Sequence, residues 1–295
     1  MPWQQLTFQV DKQQADLFSD ALHECGAASV SLQDAADQPL FEPGPGETPL
    51  WQHVDVVGMF AEDTDIPQIL GNLKQQLDCD ELPRWQLSEL QDQDWVRVWM
   101  DDFKPIQFAD NLWICPSWMT PLDEYAVNII LDPGLAFGSG THPTTAMCLQ
   151  WLGNTDLTGK TVIDYGCGSG VLAVAAALLG AATVWAIDND PQALQATEEN
   201  ARNNKVSERI HYGLPDALPA MKADIIVANI IAGPLIELAP LLAAHHHADG
   251  ELALSGILET QVDSVRQCYQ QWYQMDTTTQ QQEWCRLTGT HHGDV

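Results

Sequence analysis

Apolar and polar residues in the first 90 positions form six short, regularly patterned segments. They alternate as in strands at residues 3–10, 28–34, 51–60 and 85–90, and apolar residues recur at helical spacing at 14–26 and 66–77. The order βαββαβ predicts a small ferredoxin-like α+β domain over residues 1–90. The segment contains no group of residues typical of catalysis. We therefore interpret it as a binding module, with a purely structural packing unit as the alternative.

A different pattern follows residue 90. Trp95, Val98 and Trp99 would share one face of a helix, which predicts a linker helix over residues 91–104. The segment from 103 to 118 is then extended. Apolar strands are predicted at 161–165, 182–188, 209–213, 223–229 and 250–256, with helices at 170–180, 191–204, 233–245 and 259–272. This alternation predicts an α/β fold for residues 105–295, with a doubly wound parallel sheet covered on both faces and a terminal hairpin after residue 273.

The charge of the chain is strongly unbalanced. Forty-one acidic residues stand against 12 basic ones, and the formal net charge is −29. Binding to nucleic acids depends largely on basic side chains, so we do not expect direct nucleic-acid contact. A basic protein or a cationic small molecule would be attracted to such a surface. Net charge never names a partner, and a role in solubility alone is equally open.

Neither a metal site nor a targeting segment is predicted. The seven cysteines have no C-x-x-C spacing, so neither a disulfide framework nor a zinc site is indicated. His245, His246 and His247 are adjacent, and adjacent residues on a helix do not face one another, so we expect a solvated helix end there. The chain has no signal-peptide pattern and no apolar run of the ~20 residues that a membrane span needs. A cytoplasmic location without membrane contact is the resulting expectation.

The first strand of the second domain runs into a glycine-rich turn. G-C-G-S-G at 166–170 separates this strand from a helix. Glycines at such a turn let a ligand approach the backbone at the helix N-terminus, so Gly166 and Gly168 are predicted to contact a cofactor. Val171 stands where the dinucleotide fingerprint requires its third glycine, which argues against a nicotinamide dehydrogenase. The turn by itself would also fit a tight connection that binds nothing.

Polar residues end three of the predicted strands at the edge where doubly wound sheets bind ligands. Asp188 follows Gly166 by about 20 residues, the separation expected for a carboxylate that binds ribose hydroxyls. Asp164 lies in an apolar strand and needs a partner, either a ligand ammonium or backbone amides of the glycine turn. Asn229 either binds an amine or caps the next helix. Because they share one edge, we predict that these residues line a single site.

Several motifs together resemble known methyltransferases. V-I-D-Y-G-C-G-S-G at 162–170, A-I-D-N-D at 186–190 and V-A-N-I-I-A-G-P-L at 227–235 resemble class I S-adenosylmethionine-dependent enzymes. L-D-P-G-L-A-F-G-S-G-T-H-P-T-T at 131–145 is similar to the signature of the ribosomal protein L11 methyltransferase family. The linker helix, F-K-P and I-C-P-S-W at 114–118 match as well, so the resemblance covers essentially the whole chain. Ser139 and Ile231 replace the usual Thr and Leu but keep the hydroxyl group and the apolar bulk.

The resemblance implies an activity and a set of site residues. The implied enzyme methylates the α-amine and lysine ε-amines of large-subunit ribosomal protein L11 with S-adenosylmethionine, and its N-terminal domain binds the substrate protein. The implied cofactor contacts are Thr145, Gly166, Asp188 and Asn229, and the same pocket is lined by Phe137, Gly138 and His142. Asp164 and Gly168 join this set from the reasoning above.

Two catalytic roles follow as hypotheses. Asn229 and nearby carbonyls would orient the amine, and His142 is the candidate base of the signature, with a structural hydrogen bond as the alternative role. A methyltransferase that acts on another protein or on a small amine is an alternative function, as is a non-catalytic protein that keeps the nucleotide pocket. We expect a monomer.

Overall fold

The computed structural model of the chain describes residues 3–36, 38, 50–90, 104–132 and 142–293. The chain divides into two compact units, Met1–Met100 and Asp101–Val295. The predicted linker helix at 91–104 lies outside the described residues except for Lys104, so the helix and the domain boundaries stay predictions. No helix within the described ranges is long and apolar enough to cross a membrane.

The first unit has the predicted βαββαβ order. Its elements are β1 (Trp3–Asp11), α1 (Ala15–Glu24), β2 (Ser29–Asp34), β3 (His53–Ala61), α2 (Ile66–Gln76) and β4 (Trp85–Leu90). The strands form an antiparallel sheet in the order β2-β3-β1-β4. Alternate residues of β1, such as Leu6 and Phe8, are buried against Leu22 and Leu73 of the two helices. The ferredoxin-like prediction is therefore confirmed.

A three-stranded sheet opens the second unit. It consists of β5 (Ile106–Ala109), β6 (Leu112–Cys115) and β7 (Val127–Ile130), in that order. The extended segment predicted from 103 to 118 supplies β5 and β6, but β7 was not predicted. The amide of Asn204 accepts from Ile130 N and donates to Ile130 O, both at 2.7 Å, and so holds β7 across 74 positions of sequence.

The large sheet of the second unit is doubly wound. Its strands are β8 (Thr161–Tyr165), β9 (Thr183–Ile187), β10 (Ile210–Gly213), β11 (Ala223–Asn229), β12 (His246–Leu258), β13 (Tyr273–Met275), β14 (Thr279–Gln281) and β15 (Trp284–His291). The order is β10-β9-β8-β11-β12-β15-β13, and β14 pairs with β15. The first five strands in this order are parallel and β15 is antiparallel, so the predicted sheet and terminal hairpin are both confirmed.

Helices cover both faces of this sheet. They are α3 (Pro143–Gly153), α4 (Val171–Leu178), α5 (Pro191–Asn203), α6 (Ala232–Ala244) and α7 (Val262–Tyr269). Successive strand residues point to opposite faces. Val162 and Val227 accordingly pack with α3, α4 and α5, whereas Ile163 and Ile226 pack with α6 and α7. Each face of the sheet is thus covered by a buried apolar layer. The polar residues lie at the carboxyl edge of the sheet, between these two layers.

The histidine run at 245–247 differs from its prediction. Helix α6 ends at Ala244 and β12 begins at His246, which is completely buried. Tyr273 Oη donates to His246 Nδ1 at 2.7 Å, and His246 Nε2 donates to Glu251 O at 3.1 Å. The solvated helix end was therefore wrong for His246, because two hydrogen bonds compensate the burial of its ring.

Candidate functional site

The glycine turn has a backbone that other residues adopt only with strain. Gly166, Gly168 and Gly170 have φ angles of +78°, +54° and +75°. A Cβ atom on Gly166 would clash with Ile230 Cγ2. Gly166 N donates to Ile187 O at 2.7 Å, and Gly170 is the N-cap of α4. The predicted contacts Gly166 and Gly168 thus lie on a closely approachable backbone at a helix N-terminus.

Two side chains of α5 hold the glycine turn. The Thr197 hydroxyl, fully buried, donates to Gly168 O at 3.2 Å, and Asn200 Nδ2 donates to Ser169 O at 2.8 Å. Sequence reasoning did not identify either residue. The two residues are three positions apart, so they share one face of the helix. Polar residues on the face of α5 that is turned toward the sheet could have indicated this role.

Asp188 closes the other side of the turn. Its Oδ2 accepts from Gly168 N at 2.9 Å, and its Oδ1 accepts from Asp190 N at 3.0 Å. The carboxylate follows the last residue of β9 and is half-buried. Each carboxylate oxygen can accept more than one hydrogen bond, so a ligand hydroxyl can still bind here.

Asp164 is a fully buried acid in the middle of the site. Its Oδ2 accepts from Ala173 N, in the first turn of α4, at 3.0 Å. Within the part of the chain that the structure describes, its Oδ1 has no hydrogen-bond partner. Burial raises the pKa of Asp164 to about 7, the Ala173 amide opposes this shift, and the negative charge of Asp188 adds to it. The backbone bond therefore goes to α4 rather than to the glycine turn, and the second carboxyl oxygen is buried without a donor from the described residues.

Asn229 and Thr145 meet across the site. Asn229 is the last residue of β11, and its Nδ2 donates to Thr145 Oγ1 at 3.2 Å. Thr145 lies in the first turn of α3 and is completely buried. Asn229 does not cap the following helix, whose N-cap is Ile231. Its Oδ1 is buried and has no hydrogen-bond partner among the described residues.

His142 is the N-cap of α3. Its Nδ1 accepts from Thr144 N at 3.4 Å and lies 2.7 Å from Thr144 Oγ1. The ring packs edge-on against Trp284, with centroids 5.1 Å apart. Burial lowers the pKa of His142 below its usual value, and the charge of Glu283 partly opposes this. Trp284, which sequence reasoning did not identify, begins β15 and so joins the site from the far end of the chain.

The signature at 131–145, which contains His142, is also held by hydrogen bonds near its start. Asp132 accepts from both Ser117 N and Ser117 Oγ, each at 2.7 Å. The I-C-P-S-W and L-D-P-G motifs are therefore in direct contact. The predicted site residues Phe137 and Gly138 lie outside the described residues.

The fold and these contacts define the class. A doubly wound sheet carries a glycine turn after β8, a carboxylate after β9 and an amide at the end of β11, all on its carboxyl edge. Two buried acceptor oxygens, on Asp164 and Asn229, have no hydrogen-bond partner among the described residues, and a ligand with a positive charge would suit both. This is a class I S-adenosylmethionine-dependent methyltransferase.

Comparison with known proteins identifies the family. The family model for ribosomal protein L11 methyltransferase (PrmA) matches residues 2–292. Ribosomal protein L11 methyltransferases of Serratia proteamaculans (strain 568) and Klebsiella pneumoniae (strain 342) are 52% and 53% identical to the chain over 290 residues, which is 98% of this chain and 99% of each relative. The crystal structure of a ribosomal protein L11 methylase from Lactobacillus delbrueckii subsp. bulgaricus covers 64% of this chain and 100% of its own, with 34% identity and a TM-score of 0.59. The chain belongs to the ribosomal protein L11 methyltransferase family.

Proposed function

We propose that this chain transfers methyl groups from S-adenosylmethionine to the α-amine and lysine ε-amines of ribosomal protein L11. The observation that carries the proposal is the pair of unpartnered acceptor oxygens, Asp164 Oδ1 and Asn229 Oδ1, within the described residues. Strands β8 and β11 are hydrogen-bonded neighbours, so both oxygens belong to one edge of the sheet. A buried acceptor without a donor is costly, and a cationic or amine ligand would remove that cost.

The residues of this edge fit the cofactor. Gly166 and Gly168 would let it lie against the backbone, Asp188 would bind its ribose hydroxyls, and Asp164 would face its ammonium group. Thr145 would complete the pocket from α3, and Phe137 and Gly138 are proposed to line it as well. When bound, S-adenosylmethionine supplies a methyl group activated by a positive sulfonium.

Asn229 is proposed to orient the acceptor amine. Its Nδ2 is held by Thr145 Oγ1, so its Oδ1 is directed as an acceptor for the N–H groups of the amine. A free lysine has a pKa of ~10.4, and transfer from water into this site disfavours its charged form, so the proton leaves before attack. Water can take that proton. Asn229 would then contribute by aligning the lone pair of the amine nitrogen with the methyl group. Such alignment accounts for a large part of the rate acceleration in displacement reactions.

His142 is proposed to organise the site rather than to act as a base. Thr144 N can only donate, so Nδ1 of His142 is an acceptor and the proton of the neutral ring is on Nε2. The one free lone pair of the neutral ring is then on Nδ1, which is already engaged by Thr144, and burial disfavours the charged ring that proton uptake would form.

The net charge of the chain and its family support proposals about the substrate, the roles of the two domains and the location of the enzyme. A formal charge of −29 would attract a basic ribosomal protein and repel nucleic acid, so no direct nucleic-acid contact is proposed. The ferredoxin-like domain at 1–90 would bind the substrate protein and the segment at 91–104 would link it to the catalytic domain at 105–295. The enzyme would act as a cytoplasmic monomer.

Labelled S-adenosylmethionine incubated with purified large-subunit ribosomal proteins tests the activity. We expect label in L11 and in no other protein of the mixture. Label on a different protein would favour the alternative of another substrate, and calorimetry that detects S-adenosylmethionine binding without any transfer would favour a binding protein. Asp188→Ala should weaken cofactor binding at least tenfold, since two hydrogen bonds to ribose are worth about 1.5 kcal/mol or more.

Two variants of His142 separate its possible roles. Asn is a good N-cap and can accept from the same amide, so His142→Asn should keep most of the activity if the residue is structural. His142→Ala removes the cap and should lower both activity and stability. A loss of kcat as large in His142→Asn as in His142→Ala, with a changed pH profile, would assign proton transfer to His142 instead.

A further inference from the structure

Ser255 is a fully buried polar residue near the carboxyl end of β12. It pairs in register with Asn229 of the neighbouring parallel strand β11. Residues paired in this way point to the same face of a sheet. Ala253 and Val227, each two positions earlier, both pack in the layer that contains α3, so Ser255 and Asn229 also face α3.

The Ser255 hydroxyl connects three elements. Its Oγ lies 3.2 Å from Thr144 O in the first turn of α3 and 3.4 Å from Cys285 O in β15, and its single proton is shared between these carbonyls. The hydroxyl therefore fixes the start of α3 against β12 and β15.

The start of α3 determines where Thr145 lies. Thr145 follows Thr144 directly, and its Oγ1 accepts from Asn229 Nδ2 at 3.2 Å. An amide side chain whose nitrogen is held in this way must direct its oxygen to the opposite side. A small shift of the α3 backbone at Thr144 would release the Asn229 amide to rotate.

We infer that Ser255 is a positioning residue, which fixes the first turn of α3 so that Thr145 holds the Asn229 amide with Oδ1 directed at the acceptor amine. This inference rests on the roles proposed above for Thr145 and Asn229. The Ser255 hydroxyl is bonded to backbone carbonyls of the protein, so its proposed role is indirect. Its loss therefore acts on kcat, through misalignment of the amine, more than on the binding of ligands.

An isosteric pair of variants isolates the hydroxyl. Ser255→Thr keeps it and Ser255→Val does not, although Thr and Val have nearly the same shape and both suit a strand. We expect Ser255→Thr to keep kcat near the wild-type value, and Ser255→Val and Ser255→Ala to lower it about tenfold, as for the loss of one alignment contact. KM for S-adenosylmethionine should change less than kcat. Val265→Ala is the control, since it removes buried methyl groups on the opposite face of the sheet, and it should leave kcat unchanged.

A double-mutant cycle with Thr145→Val tests the route. If Ser255 acts through Thr145, the change Ser255→Ala should lower kcat less than twofold in the Thr145→Val background, because the contact it supports is already absent. The control change Val265→Ala should have the same small effect in both backgrounds.

Three outcomes would overturn the inference: equal activity of the Thr and Val variants at position 255, a full tenfold loss on adding Ser255→Ala to Thr145→Val, or a loss confined to KM. If Ser255→Ala does not fold, the Thr and Val variants decide alone. Failure of the proposed function looks different. In that case the wild-type protein itself would transfer no label from S-adenosylmethionine to L11. If instead only the roles given to Thr145 and Asn229 are wrong, Asn229→Ala and Thr145→Val would both leave methylation of L11 at the wild-type rate.

Discussion

Replacing Asp164 by Asn should stabilise the ligand-free protein at alkaline pH and at the same time weaken cofactor binding. The Asp164 carboxyl is completely buried, and this burial raises its pKa to about 7, with a smaller contribution from the charge of Asp188. Asn has the same shape as the protonated acid and does not titrate. The variant therefore removes the cost of a buried charge without creating a cavity.

The magnitude follows from the two pKa values. An acid whose pKa is raised on folding binds more protons in the folded state, so its contribution to stability falls as pH rises through the interval between 3.8 and about 7. With these values, the free energy of unfolding of the wild type should fall by about 3 kcal/mol relative to that of Asp164→Asn between about pH 5 and about pH 8. The cofactor ammonium would lower the pKa of the carboxyl again, so binding near neutral pH should release part of a proton.

Urea unfolding of both proteins at a series of pH values measures the difference directly, and groups common to both proteins cancel in it. Calorimetry with S-adenosylmethionine in two buffers of different ionisation enthalpy measures the proton release, which Asp164→Asn should abolish. The variant should also bind at least tenfold more weakly, because an uncharged amide replaces the charge-assisted partner of the ammonium. Stability curves that run parallel from pH 5 to 8 would refute the reasoning, as would equal proton release by the two proteins.

Three further predictions concern the glycine turn, the loss of stability at acid pH and the attraction of the substrate by charge. Gly166→Ala should lower stability by about 2–4 kcal/mol and abolish tight cofactor binding, because φ is +78° and the new Cβ would meet Ile230; normal binding in calorimetry would contradict this. Burial, with a smaller effect of His291, lowers the pKa of His246 to about 3, so protonation of the unfolded state should reduce stability by about 2 kcal/mol at about pH 5. His246→Gln should flatten this acid limb in urea unfolding, and an unchanged slope would exclude His246 as its source. The rate of L11 methylation at low substrate concentration should fall as salt is added, and a rate indifferent to ionic strength would remove the steering argument.

Much of the site could be predicted because its signals are local. A glycine with positive φ is needed where the backbone turns sharply, and Gly166 and Gly168 reveal that need in the sequence itself. Asp164, Asp188 and Asn229 each end an apolar run, and the carboxyl ends of parallel strands meet at one edge. The fold followed in the same way from the periods of the apolar residues.

The parts that were missed depend on contacts between distant segments. In the sequence, Thr197 is simply a polar residue of a helix. Only the packing of α5 against the sheet brings its hydroxyl within hydrogen-bond distance of Gly168 O. Strand β7 has only four residues, and Asn204, which holds it, comes from another part of the chain. His246 looked like part of a solvated run because the sequence does not reveal that Tyr273 and Glu251 supply its partners. Such pairings follow from register and packing, which short-range patterns do not determine.

The unpartnered oxygens of Asp164 and Asn229 connect stability with function. Natural proteins satisfy nearly all buried polar groups, so two acceptors on neighbouring strands that have no partner in the described part of the chain suit a place where a ligand compensates them. The neighbouring groups have protein partners by comparison: each oxygen of Asp188 accepts one backbone amide, and Thr145 accepts from the Asn229 nitrogen. The supporting contacts of the candidate site are thus internal to the protein, and its two unpartnered acceptors are the groups proposed to bind ligands. The ammonium of S-adenosylmethionine is proposed to satisfy the Asp164 oxygen and so to stabilise the folded state. Saturating S-adenosylmethionine should therefore raise Tm more in the wild type than in Asp164→Asn.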